Sequence, residues 1–347
     1  MSKQLKGACI FGQSGGPTAV INASMYGVVS AALASENITR VYGAQYGIKG
    51  VLEDKLFDMG AESAEELKLL LNTPSSELGS CRYKIAEPEE DDSDYKRILE
   101  VFKKYDVRYF FYNGGNDSMD TCNKISRYMS SVGYDCRVIG VPKTIDNDLF
   151  GTDHCPGYGS AAKYIATSCM ELYKDTCVYS TGTVNVVEIM GRHAGWLAAS
   201  AALATYKGCG PDLVYLPERD FDMESFCADV ERVYKEKGKA LVVVSEGIHY
   251  ADGSFVSEAK TSSNDGFGHV QLGGLAVMLA AVLHQRIGAK VRGIELSLLQ
   301  RAAAHQASAT DIAEAEMAGR FAVESALSGV SGKMAAFGRA TEGGQYR

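Results

Sequence analysis

Five times along this chain a short apolar run ends in a loop rich in Gly, Asn or charged residues and passes into a helical pattern. Ala8–Phe11, Tyr109–Tyr112, Arg137–Val141, Val184–Ile189 and Ala240–Ser245 are the runs, and Arg40–Ala44 and Lys290–Leu296 are shorter strand-like pieces. None alternates polar with apolar residues. A continuous Val/Ile/Phe run is what a strand buried on both faces requires, and strands of that kind belong to parallel sheets covered by helices. The intervening patterns predict helices over Thr18–Ala34, Tyr95–Tyr105, Ser118–Ser131, Gly159–Tyr173, His193–Thr205, Asp222–Lys237, Val270–Ile287 and Thr310–Leu327. Strand–loop–helix repetition of this kind is the signature of βαβ units, so the fold class is α/β. Met334–Phe337 reads as one more strand-like piece near the end.

Length and charge narrow the function. The 347 residues suggest about two domains, with no low-complexity linker between them. A formal charge of −8 disfavours non-specific binding to nucleic acid or anionic membranes, which needs a positive field. The longest apolar stretch, Leu272–Leu283, falls short of the ~20 residues that span a bilayer. Met1–Gly7 is polar and does not read as a secretory leader. The nine cysteines contain no Cys-x-x-Cys pair and no metal-ligand spacing; they read as reduced, buried thiols of a cytoplasmic protein. His249, His269, His284 and His305 show no ligand spacing either.

In doubly wound sheets ligands bind beyond the carboxyl ends of the strands, and the chemistry-bearing residues fall there. Phe11-Gly-Gln-Ser-Gly-Gly-Pro17 follows a strand and opens a helix. Gly15 and Gly16 let the backbone approach a phosphate, unless this is simply a tight βα turn. Asn113-Gly-Gly-Asn-Asp-Ser118 places Gly115 at a second such turn, where Asn116 and Asp117 offer oxygens to a hard cation or cap the helix. Val141-Pro-Lys-Thr-Ile-Asp-Asn-Asp148 crowds Lys143, Thr144, Asp146 and Asp148 around Ile145. There a carboxylate can take a proton from an attacking hydroxyl and a Lys can neutralise a transferring phosphoryl group; the plain alternative is an Asx turn. Glu188-Ile-Met-Gly-Arg-His-Ala-Gly-Trp196 presents Met190, Gly191 and Arg192. His193 reads as structural and Trp196 as core. Glu246, Arg292, Gln300 and Arg301 are dispersed; Arg192, Arg292 and Arg301 together could hold a sugar phosphate.

Taken in order, the Gly-Gly turn, Gly-Gly-Asn-Asp-Ser, Pro-Lys-Thr-Ile-Asp-Asn-Asp, Met-Gly-Arg, the strand-end Glu and Leu-Gln-Arg resemble the phosphofructokinase family from about residue 10 to about residue 340. The resemblance implies a two-lobed, three-layer αβα fold with parallel-rich sheets and a cleft active site. It also implies a donor lobe of residues 1–157 with 300–347 and a sugar lobe of residues 158–299. It implies Mg²⁺, homo-oligomers, and phosphoryl transfer to the 1-hydroxyl of fructose 6-phosphate. Carried over by motif, Asp146 is the base, flanked by Thr144 and Asp148. Ile145, Met190, Gly191, Arg192, Glu246, Arg292, Gln300 and Arg301 meet the sugar phosphate. Gly15, Gly16, Arg82, Gly115 and Lys143 meet the donor. Asn116 and Asp117 stand at the metal, with Asn116 where many members carry an Asp.

Asp117 and Lys143 replace glycines of ATP-using members and resemble the pyrophosphate-using branch. A carboxylate there repels a nucleotide α-phosphate, and the ammonium favours a compact polyanion. The implied reaction is therefore reversible transfer from pyrophosphate, giving fructose 1,6-bisphosphate and phosphate, a step of glycolysis and gluconeogenesis. An ATP-dependent enzyme and a non-catalytic sugar-phosphate-binding relative are the alternatives. The resemblance further implies no nucleotide effector site, because Tyr26 and Ser30 replace effector-binding arginines. It implies no 6-phosphate contact from Thr183, where ATP enzymes carry an Arg. It also implies further C-terminal structure after Arg347, and an insertion across Ile248–Ile287.

Overall fold

A computed structural model of the protein describes residues 5–180, 182–256 and 272–339. In chain order its strands and helices are β1 (Gly7–Gln13), α1 (Ile21–Leu33), β2 (Ile38–Ala44), α2 (Ile48–Leu52), β3 (Leu56–Asp58), α3 (Ala64–Leu69), α4 (Ser93–Lys104), β4 (Val107–Gly114), α5 (Asn116–Ser131), β5 (Arg137–Pro142), α6 (Tyr158–Thr176), β6 (Thr183–Ile189), α7 (Trp196–Ser200), β7 (Leu213–Tyr215), α8 (Met223–Lys237), β8 (Ala240–Ser245), α9 (Leu275–Ile287), β9 (Lys290–Glu295), α10 (Leu299–Ala302), α11 (Ala309–Leu327) and β10 (Lys333–Met334). They fall into two compact units, Met1–Gly159 with Ala307–Arg347, and Ser160–Gln306.

The first unit contains a six-stranded sheet among the described residues, in the order β10-β5-β4-β1-β2-β3, parallel except for the antiparallel β3. Its central strands are buried on both faces, as their unbroken apolar runs require. Cys9, Phe11, Tyr109, Phe111, Ile139 and Val141 pack on one side with Met25, Val28 and Val29 of α1 and Ala318, Ala322 and Val323 of α11. The alternate residues Ala8, Ile10, Phe110, Tyr112 and Val138 pack on the other with Tyr95, Ile98 and Phe102 of α4 and Ile125 and Met129 of α5. Alternation along a strand thus produces three layers, helix, sheet and helix. Among the described residues the second unit has a parallel four-stranded sheet, β7-β8-β6-β9. Val184 and Val186 of β6 and Val242 and Val244 of β8 share a core with Phe226 and Val230 of α8 and Leu275 and Leu279 of α9.

Most departures from the expected boundaries are of a few residues and have local causes. Helix α1 starts at Ile21 rather than Thr18, whose hydroxyl accepts the Val20 N–H instead. Helix α9 starts at Leu275, after Gly273 and Gly274 at positive φ; Val270 and His269 lie outside the described residues. The helix expected over His193–Thr205 is two pieces, α7 and a 3₁₀ turn over Ala201–Lys207 that ends at Gly208 with φ 67°. The break leaves Trp196, read as a core residue, at the start of a one-turn helix facing outward with 53% exposure. The expected strand Met334–Phe337 pairs regularly only over Lys333–Met334, and Ala335 still donates to the Gly140 carbonyl. No described helix is long and apolar enough to cross a membrane.

Helices α1 and α11 meet closely because both carry a glycine at the contact. A Cβ on Gly27 would overlap the Glu316 carbonyl, and one on Gly319 the Ser24 carbonyl. Gly to Ala inside an exposed helix usually stabilises by about 1 kcal/mol; here overpacking, costing about 1–3 kcal/mol, exceeds that gain. Gly27→Ala is therefore expected to lower the thermal midpoint, read by differential scanning fluorimetry. A raised midpoint would show that α1 and α11 do not approach this closely.

Candidate active site

Parallel register sets the stage in the first unit. Gln13 lies opposite Asn113, Asn113 opposite Val141 and Gly114 opposite Pro142, so the loops after β1, β4 and β5 leave the sheet side by side. They are stitched together: Ser14 N–H donates to Asn113 O (2.9 Å), Asn113 Nδ2 to Val141 O (3.1 Å), and Lys143 N–H to Gly114 O (3.0 Å). Gly15, at φ 77°, donates to Cys81 O, and Ser80 Oγ donates back to Gly15 O at 2.6 Å. This pairing brings the exposed Arg82 beside the first loop, although 66 residues separate Arg82 from Gly16 along the chain.

The Lys143 side chain runs under that turn. Its Nζ donates to Gly16 O at 2.7 Å, and the residue is only 4% exposed. A side chain on Gly15 would place its Cβ 3.3 Å from this ammonium, so the Gly-Gly pair makes room for it. Burying an ammonium costs several kcal/mol unless dipoles and anions repay it. Gly16 O supplies one dipole, and an anion at the loop would be drawn to the same charge.

Helix α5 opens beside it. Gly115 is its N-cap and no side chain caps it, which decides against the capping role for Asn116 and Asp117. Both stand in the first turn, where N–H groups lack partners within the helix and the potential is positive. Asn116 Nδ2 instead donates to Asp148 Oδ2 at 2.9 Å, joining the second loop to the third.

The third loop is held at several points. Thr144 N–H donates to Pro156 O, and Asp146 N–H to Thr144 Oγ1 at 3.1 Å. Asn147 adopts φ 56°, a left-handed conformation that Asn tolerates, while its Oδ1 accepts the Cys155 N–H at 2.8 Å. Gly157 N–H donates to Oδ1 of the buried Asp311 on α11 at 2.9 Å. Ile145 packs inward, Asp146 is half-buried and Asp148 is exposed. Burial pushes the Cys155 thiol up to about 11, so it is a packed neutral group and no nucleophile.

A second constellation lies in the other unit, past the paired ends of β6 and β8. Ile189 lies opposite Ser245, and Glu246 N–H donates to Ile189 O at 2.8 Å. Gly191 N–H donates to Glu246 Oε1 (3.3 Å) and Ser245 Oγ to Gly191 O (2.6 Å). Met190 N–H donates to Oε1 of Gln300, which is 2% exposed. Gly191 has φ 128°, and a Cβ there would crowd the Ala194 carbonyl. Below, Glu188 accepts the Ala276 N–H at 2.9 Å at the start of α9, and burial raises its carboxyl above the ordinary range. Arg292 is not brought here: it lies opposite Asn185, four residues or about 13 Å down the strand from Ile189. Its guanidinium is 3.6 Å from Asp175 instead.

Residues 9–324 match the phosphofructokinase family. The chain belongs to that family. It is 48% identical over 337 residues to a pyrophosphate--fructose 6-phosphate 1-phosphotransferase of Halomonas elongata, covering 96% of this chain and 80% of the relative. Against an enzyme of the same description from Xanthomonas campestris pv. campestris it is 48% identical over 331 residues, covering 94% and 78%. Among solved structures, the pyrophosphate-dependent phosphofructokinase from Nitrosospira multiformis superposes with a TM-score of 0.88 at 41% identity, over 99% of this chain and 82% of that one.

For this phosphofructokinase-family chain, two supporting residues escaped the sequence reading. Asn147 was given no role of its own, and only its positive φ and its bond to Cys155 show that it shapes the loop. Asp311 sits at the end of Ser308-Ala-Thr-Asp311, a capping-box pattern in which Ser308 Oγ accepts the Asp311 N–H at 3.4 Å. That pattern marks a helix start, but not Gly157 as the carboxylate's partner. Asn147→Ala is expected to cost about 2 kcal/mol, through the lost acceptor and the strained φ. Asn147→Asp, which keeps an oxygen and tolerates the conformation, should recover most of that cost in thermal melts; equal losses would show that the side chain does not hold the loop.

Proposed function

We infer that this protein catalyses reversible phosphoryl transfer between pyrophosphate and the 1-hydroxyl of fructose 6-phosphate, giving fructose 1,6-bisphosphate and phosphate, as a step of glycolysis and gluconeogenesis. The observation that carries the choice of donor is the Lys143 ammonium, 2.7 Å from Gly16 O under the Gly15–Gly16 turn, with Asp117 in the first turn of α5 beyond the adjoining loop. Pyrophosphate is small and highly charged and benefits from such a cation. ATP would have to bring its α-phosphate and nucleoside past a carboxylate.

In the forward direction the sugar's 1-hydroxyl oxygen attacks the terminal phosphorus of pyrophosphate. Asp146 accepts the hydroxyl proton, the bond from phosphorus to the bridging oxygen breaks, and orthophosphate departs. Lys143 offsets charge on the transferring group and the leaving phosphate, and Gly15, Gly16, Gly115 and Arg82 hold the donor. Little covalent work falls to the protein, so placement and charge carry most of the rate. Thr144 supports Asp146 through the hydrogen bond to its amide. In the second unit Met190, Gly191, Arg192, Glu246, Gln300 and Arg301 receive the sugar phosphate.

Asn116 and Asp148, already in contact, and Asp117 beside them would hold Mg²⁺ through few protein oxygens, leaving its other positions to water and phosphate. The ion would supply charge neutralisation on the donor. We further propose a cytoplasmic, self-associating enzyme, in line with nine cysteines that are all unbonded and mostly buried.

Turnover of fructose 6-phosphate with pyrophosphate is expected to exceed turnover with ATP at equal Mg²⁺; faster ATP turnover would overturn the donor. Asp117→Gly should raise ATP use if the carboxylate excludes nucleotide. Asp146→Asn is expected to lower kcat by about 10²–10⁴, in a protein that still binds sugar phosphate by calorimetry. Lys143→Gly should lower kcat/KM for pyrophosphate by about 10²–10³ with little change in sugar affinity. An unchanged rate in either variant would remove that residue from its role.

A further inference from the structure

One charged cluster in the first unit is not used by the chemistry above. It centres on His154, whose side chain is 16% exposed. Both ring nitrogens face carboxylates: Nδ1 lies 3.0 Å from Asp153 Oδ2, and Nε2 lies 2.8 Å from Glu314 Oε2 on α11. The ring stacks on Phe337, with centroids 4.9 Å apart and 24° between planes. Arg339 approaches the same Asp153 oxygen at 3.1 Å and offsets part of its charge. The His154 hydrogen bond, with help from Arg339, holds the Asp153 carboxyl below the usual carboxylate range. The ring therefore joins two carboxylates from separate parts of the chain, Asp153 beside it and Glu314 on α11.

What the clasp holds matters more than the clasp itself. On one side, Asp153 N–H donates to Phe337 O, Phe337 N–H donates to Thr152 Oγ1, and Thr152 Oγ1 donates to His154 O. The segment after β10 is thereby laced to residues 152–154. On the other side, the strip that follows His154 is bonded to the transfer loop. Cys155 N–H goes to Asn147, and Thr144 N–H goes to Pro156 O. These two contacts bracket Asp146. Helix α11 grips the strip at both ends, through Glu314 to His154 and through Asp311 to Gly157; the two carboxylates are three residues apart and so share one helix face.

We propose that His154 is a positioning residue for phosphoryl transfer: its imidazole, held between Asp153 and Glu314, fixes the 154–157 strip and through it the placement of Asp146. Removing the ring opens the clasp. Turnover then falls, while binding of fructose 6-phosphate, assigned to the second unit, is preserved. The proposal rests on the function inferred above, through the role given to Asp146.

The test combines steady-state kinetics with calorimetry of fructose 6-phosphate binding. His154→Gln should lower kcat about ten- to a hundredfold, the effect of a small misplacement. KM for fructose 6-phosphate should stay within about twofold. Glu314→Ala should lower kcat in the same way, and Glu314→Gln, whose amide still offers the ring a hydrogen-bond partner, should recover most of that loss. Unchanged kcat in His154→Gln, a KM that rises as much as kcat falls, or equal losses in Glu314→Ala and Glu314→Gln would each overturn the proposal. Should His154→Gln fail to fold, the two Glu314 variants still decide it. Absence of any pyrophosphate-dependent turnover in the wild-type enzyme would instead count against the inferred function, and thermal melts of the variants would still report on the clasp.

Discussion

A buried ammonium organises the first unit's strand-end loops. Lys143 leaves β5 and ends under the Gly15–Gly16 turn that leaves β1, with its own N–H on the Gly114 carbonyl that ends β4. Three loops distant in sequence are therefore tied at one lysine. The arrangement needs two things at once: strands in parallel register, so that the loops emerge together, and glycines without side chains, so that the ammonium can approach backbone. A charge that is costly to bury is tolerable where carbonyl dipoles and an anionic substrate share it. In the function proposed above, the same charge would supply what a phosphoryl donor requires.

Helix α11 is the second organising piece. Its apolar face completes one layer of the core, and close packing on α1 through Gly27 and Gly319 leaves its position little freedom. Its first turns carry Asp311 and Glu314, which brace the strip beside the transfer loop. Packing energy in the core is thereby converted into placement of the loop that carries Asp146, the base proposed above. For a reaction whose barrier is lowered mostly by positioning and electrostatics, that conversion is the main service a scaffold can render.

Much of this was legible in one dimension. The unbroken apolar runs announced strands covered on both faces, and the strand-to-helix loops announced the ligand-binding end, because periodicity and loop chemistry are local properties. Thr144, Asp146 and Asp148 stood together in five residues and needed no fold to bring them into one loop. Trp196 was read as core on its apolar character, whereas it stands at the first position of a one-turn helix and is exposed. Arg292, grouped with Arg192 and Arg301 by residue type and by motif, stands about 13 Å down its strand from Ile189, a placement that only register supplies.

By itself, then, the order of residue types determined the parallel α/β class, the candidate reacting groups and the character of the donor, since each rests on short stretches whose propensities and charges act over a few residues. Only the tertiary structure decided how those groups are held: Asn147 locking the loop at positive φ, Asp311 receiving Gly157 across 154 residues, and Glu314 receiving His154 across 160. Contacts of that span leave no periodic trace. They exist because α11, returning at the end of the chain, buries its apolar face against the same sheet that the first strand began.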